Sequence, residues 1–483
     1  MKNEFESLPP EMQEIYKANA KELPEDWRKP FHSFNKDGKP TKAIDMFIRE
    51  DIKKNTHIMV IGQFPWIYEN GCYKQDEGGK KLKALITEYI YPRLVTARVI
   101  GQIYDLFICD RELDTSVNEV NQFPPEWINF QNGFYDPRTN SIIPHDPKYK
   151  AVNILPWSYV PGEDYGKGEA IEKWIRSLQL SDDDIEMLMQ YCGLCMNFDT
   201  RFQKCLFVVG AGGTGKSTLL DLIGKVVGAD NFSAITLENV EQRFYPALLF
   251  GKLLNVCADI KTTILCDQDA FKKITGQDWI LLERKGKDAI KFKSYAKLLF
   301  SMNSIPNIKG ENSSGFYRRM LVLRMDKEVK APDPALAEKL EADIPYFIDQ
   351  VMQFMRLMYE AGKITESASS RREVEELRCY SDSVQAFLTE KCTCNRANDQ
   401  YKTDRAKLYS EYKNYCSAAG RQTMSNQSFY KSLKDKGYST AVVNGFPMVK
   451  GIVFGKLENQ QAAFVSPALH GSQIDIVTPK DTG

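Results

Sequence analysis

The octapeptide "GAGGTGKS", Gly210 to Ser217, has the composition and spacing of a phosphate cradle. It follows the apolar run "CLFVVG" and opens the helical pattern "STLLDLIG", which is where such a cradle works. Gly210, Gly212, Gly213 and Gly215, with Thr214 and Thr218 beside them, let backbone N–H groups converge on β- and γ-phosphates. Lys216 supplies the neutralising cation, and Ser217 offers a hydroxyl to Mg²⁺. Further along, the apolar run "KLLNVCADI" ends in Asp259, the expected second contact to that ion, direct or through water. Ile260 follows, so no second acid is adjacent. Either Asp259 also activates the attacking water, or Asp267 or Asp269 does. "LLFSMNSIP" carries Asn303 at the tip of another strand, where an amide can orient a lytic water. "GFYRRMLVL" sets Arg318 and Arg319 ahead of a further strand, where a cation reaches a neighbouring subunit's phosphates more easily than its own.

Between Asp259 and Asn303, the strand-like runs "WILLER" and "AIKFK" flank "KGKD", a hairpin pattern with Lys285 and Lys287 at the tip. Arg284, Lys285, Lys287, Lys291, Lys293 and Lys297 are opposed only by Glu283 and Asp288. A basic run is ordinarily a solvated surface. Inserted in a nucleotide-binding core, it is a way to hold a nucleic-acid backbone by phosphate contacts without reading bases.

The elements that must position these residues read as an α/β core over 203–330, with short apolar strands covered on both faces. Ahead of it, "HIMVIGQFPWIYENGCYKQDE" suits a hairpin at Asn70-Gly71, and "WINFQNGFYDPRTNSIIPHDP" a second at Asn132-Gly133. This N-terminal part carries no constellation of acids or bases and reads as a structural or docking domain. A polar linker, "GEDYGKGEA", precedes two helical patterns, the second capped by Ser181 with Asp184 three residues on. After residue 345 the chain is helical. Two further helical patterns ending at Gly420 and Gly437, then a hairpin around Asn444-Gly445, follow the plan of a winged helix.

Composition narrows the classes. Lys+Arg and Asp+Glu both total 64, so a polyanion-coating protein is excluded, though local basic patches are not. The charged start "MKNEFESLPPEMQEIYK" is unlike a signal peptide, and no apolar run is long enough to span a membrane. Eleven cysteines, an odd number, read as free thiols in a reducing cytoplasm. Cys192 and Cys195 keep helical spacing with Leu188 and Met189, which favours core over metal, and Cys392 with Cys394 has no nearby His. His32, His57, His145 and His470 are too scattered for a ligand cluster.

In order, "GAGGTGKST", "NVCADI", "FKKITGQDWILLERKGK", "AKLLFSMNSIP" and "GFYRRM" resemble the superfamily 3 helicases, more narrowly the helicase part of phage, plasmid and pox-type primase-helicases. The stretch from "FQNGFYDPRTNSIIPHDP" to "NILPWSYVP" is similar to that family's N-terminal region, so the likeness spans 45–455. The resemblance implies an α/β fold: an AAA+-like P-loop ATPase core with an α+β N-terminal domain and a C-terminal winged helix. The expected boundaries are 1–165 N-terminal domain, 166–202 helical collar, 203–345 core, 346–385 helical connector, 386–458 winged helix and 459–483 tail.

By position, the resemblance makes Lys216 and Ser217 the ATP and Mg²⁺ ligands, Asp259 the Walker B acid and Asn303 sensor 1. Arg319 becomes the arginine finger, with Arg318 its close competitor, and Lys285 and Lys287 the lysines that follow single-stranded DNA through a homo-hexamer. No primase site precedes the core, which makes a separate primase an expected partner. The leading expectation is therefore an ATP-dependent DNA helicase, 3′→5′, replicating a phage, plasmid or mobile element in a bacterial or host-cell cytoplasm. The alternative is a sequence-specific initiator whose winged helix binds origin duplex through residues such as Lys402, Arg405, Lys407, Lys431 and Lys434, with ATP controlling assembly. A small-molecule P-loop kinase would leave the basic hairpin and the C-terminal module unexplained.

Overall fold

The computed structural model describes residues 26–236, 239, 242–258, 268–283, 290–305, 314–329, 333–398, 400–421, 423–443 and 445–455. The chain divides into two compact units between Glu376 and Leu377.

The first unit opens with the ribbon β1 (His32–Phe34) and β2 (Pro40–Ala43), helix α1 (Asp45–Asn55), and the antiparallel meander β3 (Ile58–Ile61), β4 (Phe64–Glu69), β5 (Cys72–Gln75). Asn70 and Gly71 turn β4 into β5 with φ of 47° and 91°, the two positive values a type I′ turn needs. Helices α2 (Lys80–Tyr89) and α3 (Ala97–Ile108) join α1 over this sheet, burying Ile48, Ile52, Leu82, Ile86, Ile103 and Phe107.

A second meander, β6 (Ile128–Phe130), β7 (Gly133–Asp136) and β8 (Ser141–Ile143), follows. Its turn is displaced from the Asn132-Gly133 dipeptide: Phe130 pairs with Gly133, which leaves Gln131 and Asn132 as the connection. Gly133 lies in the strand, where only a glycine fits: a Cβ there would lie 2.7 Å from the Ile143 carbonyl oxygen.

Helix α4 (Glu169–Ser177) starts where the N–H groups of Ala170 and Ile171 donate to the Asp343 carboxylate. Ser181 caps α5 (Asp182–Cys195), accepting from the Asp184 N–H at 3.2 Å. Helix α5 buries every residue from Met187 to Cys195. Burial pushes the Cys195 thiol up to about 12, so Cys192 and Cys195 fill the core as protonated thiols.

The centre of the unit is a five-stranded parallel sheet. Strand β9 (Cys205–Val209) leads to helix α6 (Lys216–Val227), and β10 (Phe232–Ser233) and β11 (Leu254–Cys257) follow. Helix α7 (Gln268–Thr275) precedes an antiparallel hairpin, β12 (Trp279–Leu282) and β13 (Ile290–Lys293), which runs into β14 (Lys297–Met302). One helical turn, α8 (Ser314–Tyr317), precedes β15 (Met320–Arg324). The strand order is β10-β11-β14-β9-β15, with all neighbours parallel. Strands β9 and β14 are buried at every residue, as the apolar runs require of strands covered on both faces. The chain then returns through α9 (Leu336–Ala342) and α10 (Ile344–Ala361), the latter packed on α5; the division between units falls within α11 (Ala368–Ser381).

The second unit contains α12 (Ser383–Lys391), β16 (Cys392–Cys394), β17 (Lys402–Asp404), α13 (Arg405–Ala418), α14 (Asn426–Asp435), β18 (Thr440–Val443), β19 (Phe446–Lys450) and β20 (Ile452–Phe454). Phe387, Leu408, Tyr412, Phe429, Leu433 and Ile452 form its core, with Tyr412 stacked 4.4 Å from Phe429. Ser425 caps α14 by accepting from the Ser428 N–H at 3.2 Å. Asn444 lies outside the described residues; Gly445 next to it has φ 82° and carries β18 into β19. Among the described residues, no helix is long and apolar enough to cross a membrane.

Candidate functional site

Because the sheet is parallel, the loops leaving β9, β11, β14 and β15 emerge at one edge, the edge at which open α/β sheets bind ligands. The loop after β9 is held there by its neighbours. The Gly210 N–H donates to Met302 O at 3.2 Å, and Met325 N–H donates to Val209 O at 2.8 Å. Gly210 passes so close to β15 that a Cβ would sit 2.0 Å from Met325 O. Gly215, at φ 91°, makes the left-handed step that starts α6. Val329 N–H, after β15, donates to Gly213 O at 3.0 Å and closes the outer side of the loop.

Inside this frame Thr214 is buried and donates to Ala211 O at 3.0 Å, whereas Gly212, Gly213 and Ser217 are exposed. Lys216 is buried, and its ammonium donates to Gly210 O and Ala211 O, both at 2.7 Å. It also lies 3.3 Å from Asn303 Oδ1, at the end of β14. Two residues far apart in sequence thus meet where the N-terminus of α6 already favours negative charge. The exposed loop faces a cleft of about 920 Å³ whose other walls are α4, with Lys173 and Trp174, and α9, with Leu336 and Leu340. A cationic loop at one end and an apolar pair of helices at the other suit a polyphosphate ester carrying a planar group. The sequence pattern had not singled out Trp174, Leu336 or Leu340; their amphipathic spacing signals a buried face without saying what it faces.

The remaining candidates fall as follows. Asp259, Asp267, Lys285 and Lys287 lie outside the described residues, and of Asp269 only the backbone, in α7, is described. Ala258, immediately before Asp259, is exposed beyond β11, at the same edge as Lys216. Thr218 is half-buried in the first turn of α6. Arg318 is exposed, its guanidinium 3.4 Å from Gln203 Oε1. Arg319 turns inward: one of its guanidinium nitrogens donates to Gly315 O, and its Nε is buried without a hydrogen-bond partner. Burial, with the adjacent Arg318 charge, pulls the Arg319 pKa down from its ordinary value.

A further cation escaped the sequence reading as an individual. Lys297, at the first position of β14, is buried and donates to Asn197 O at 2.8 Å and Tyr295 O at 3.1 Å. Burial pulls its pKa down to about 8. In the sequence it looked like one more member of the basic run.

Residues 45–180 match a family described as D5 N terminal like, and residues 208–319 match DUF5906, a family of unknown function. Two apo structures of the NrS-1 C-terminal region share 13% identity with this chain at a TM-score of 0.50. They cover 85% and 86% of this chain and the whole of their own. At that identity the likeness shows a shared fold, which is mixed α/β around the parallel sheet.

Proposed function

We propose that the first unit is the ATP-hydrolysing core of a phage-type replication protein, a DNA helicase that works as a homo-hexamer. The observation that carries this reading is the meeting of Lys216 and Asn303 at the carboxyl edge of a sheet ordered β10-β11-β14-β9-β15. Strand β14, which leads to Asn303, lies between β9, which leads to the loop, and β11, which Asp259 follows in sequence. The D5 N terminal like match over 45–180 and the resemblance of the ordered motifs to superfamily 3 helicases support the same reading.

In this mechanism the loop N–H groups from Gly212 to Ser217 bind the β- and γ-phosphates of ATP, while Trp174, Leu336 and Leu340 wall the nucleoside end. Ser217 and Asp259 would hold Mg²⁺, which supplies charge neutralisation across those oxygens. Lys216 holds the γ-phosphate, and Asn303 orients the attacking water. The proton of that water passes to Asp259 or to Asp267 or Asp269. A neighbouring protomer contributes Arg318 or Arg319 to the transition-state charge. Arg318 already stands in solvent; Arg319 must first leave Gly315. Lys285 and Lys287 grip single-stranded DNA, and the second unit, with its α13, α14 and β18–β19 hairpin in winged-helix order, contacts duplex DNA.

The test is ATPase and strand-displacement measurement on the wild type beside Lys285→Ala/Lys287→Ala. The double variant is expected to keep basal ATPase and lose both DNA stimulation and unwinding. Full unwinding by that variant would remove the DNA-motor reading of the hairpin; absence of ATPase in the wild type would remove the enzymatic reading altogether.

A further inference from the structure

The two faces of the β12–β13 hairpin have different chemistry. Ile280 pairs across the strands with Phe292, which is buried against Phe250 at 5.7 Å between ring centroids, and Phe250 lies 6.2 Å from Trp66. Ile290 reaches back to Gly62 in the β3–β4 turn. On that inward face Phe292 is buried and Ile290 packs back toward the β3–β4 turn. The outward face carries the opposed pairs Trp279 with Lys293 and Leu281 with Lys291. Trp279 is 55% exposed and Leu281 50% exposed, whereas Phe292 on the opposite face is 1% exposed. The Lys293 ammonium lies over the indole, 4.9 Å from the ring centroid, which orients the ring without covering it.

The same pairing recurs beside it. The short helical turn Tyr245–Leu249 packs against β12, and just before it the Arg243 guanidinium lies 5.0 Å from the ring of Phe244, itself 45% exposed. Two acids flank β12: Glu283, paired with Arg243 at 2.5 Å, and Asp278, whose charge acts on Arg319. Two exposed rings, each fixed by a cation, with no carboxylate at the four outward positions of the hairpin, would be poor matches for an acidic or apolar protein surface alone. Rings that stack on bases beside cations that meet phosphates are what a single nucleic-acid strand requires.

We propose that this outward face is a stacking platform for single-stranded nucleic acid. One base rests on the Trp279 indole, the adjoining phosphates meet Lys293 and Lys291, and Phe244 with Arg243 offers the next station. The platform would share the strand with Lys285 and Lys287, whose proposed contacts are to phosphates. The inference rests on the nucleic-acid reading above, and it adds an uncharged, salt-insensitive component that the tip alone cannot supply.

The experiment is titration of full-length protein with a fluorescently labelled oligo-dT at several salt concentrations, for wild type, Trp279→Ala, Trp279→Phe, Lys293→Met and Lys285→Ala/Lys287→Ala. Trp279→Ala is expected to weaken binding roughly tenfold or more with an unchanged salt slope, because stacking is worth about 1–3 kcal/mol per base. Trp279→Phe keeps most of the affinity, and the intrinsic tryptophan quenching that accompanies wild-type binding disappears. Lys293→Met lowers the salt slope by about 0.7. Wild-type affinity in Trp279→Ala, with loss of binding in the tip double variant, overturns the platform and leaves the motor reading intact. A change in oligomeric state in Trp279→Ala without a change in strand affinity also overturns it, in favour of a contact between copies. If the wild type binds no strand at all, both readings fall together.

Discussion

The Gly210–Ser217 loop and the β12–β13 hairpin sit on the same unit yet are positioned by opposite means. The loop is placed by backbone: its carbonyls hold Lys216, and main-chain bonds with neighbouring segments hold Gly210 and Gly213. The hairpin is placed by one face of side chains, Ile280 and Phe292 packed inward, which leaves the other face free for chemistry. A backbone-built site tolerates few residue types and fails as a whole. A site built on one face of a strand pair can change its outward residues one at a time and fails by degrees.

The largest effect should therefore come from the loop. On the ATPase reading proposed above, Lys216→Ala removes the loop's cation and is expected to lower kcat for ATP about 100-fold or more. Gly210→Ala is the sharper probe, since it adds a methyl 2.0 Å from Met325 O without removing any charge. It should match Lys216→Ala in ATPase while the second unit melts unchanged. A Gly210→Ala enzyme with near-normal turnover would mean that the close approach of β9 and β15 is not what shapes the loop.

A smaller effect is expected from the packed face of the hairpin. Phe292 is 1% exposed, and Phe292→Ala should cost the first unit about 3 kcal/mol, read as a lower thermal or denaturant midpoint. DNA-stimulated ATPase should fall further than basal ATPase, because the root that aims the hairpin is loosened while the loop keeps its own frame. Equal losses in both activities would erase the distinction between the two regions.

The same distinction explains how much could be read from sequence. The loop was legible because geometry dictates residue type: a glycine where a Cβ meets a carbonyl, another where φ is positive, a lysine at the first turn of α6. The placement of Asn303 beside Lys216 was legible because strand ends in a parallel sheet converge. The Cys192–Cys195 pair was legible as core from helical spacing, and α5 buries it. The apolar wall of the cleft was not, since the spacing of Trp174 or Leu340 marks a buried face and not its partner. The β6–β7 turn was misplaced because the local Asn-Gly preference yields to a long-range demand, the close passage of Gly133 by Ile143. The inward turn of Arg319 depends on Gly315, four residues earlier, in a turn that no periodicity announces.

The smallest predicted effect concerns the joint between the two regions. The chain leaves β13 at Lys293, enters β14 at Lys297 and reaches Asn303 just past its far end, so Lys297 stands between the hairpin and Asn303. Its ammonium is satisfied by carbonyls, but burial pulls its pKa from 10.5 down to about 8, with Cys195 and Asp199 partly opposing the shift. Below pH 8 both folded and unfolded chains hold this proton, and the group adds no slope to stability. Above pH 8 the folded chain releases it while the unfolded chain keeps it, so the unfolded state binds more protons and stability rises with pH. The Lys297 window runs to pH 10.5, and toward pH 9 an opposing slope sets in as unfolded thiols begin to ionise while the buried Cys195 thiol stays protonated. Lys297→Met should abolish the Lys297 contribution and leave the thiol term in place. Between pH 8 and 9, wild-type stability should therefore gain up to about 1 kcal/mol relative to the variant, followed by denaturant unfolding of the first unit. Parallel curves for the two proteins would mean that Lys297 keeps its proton in the folded chain, and that the joint carries a permanent buried charge.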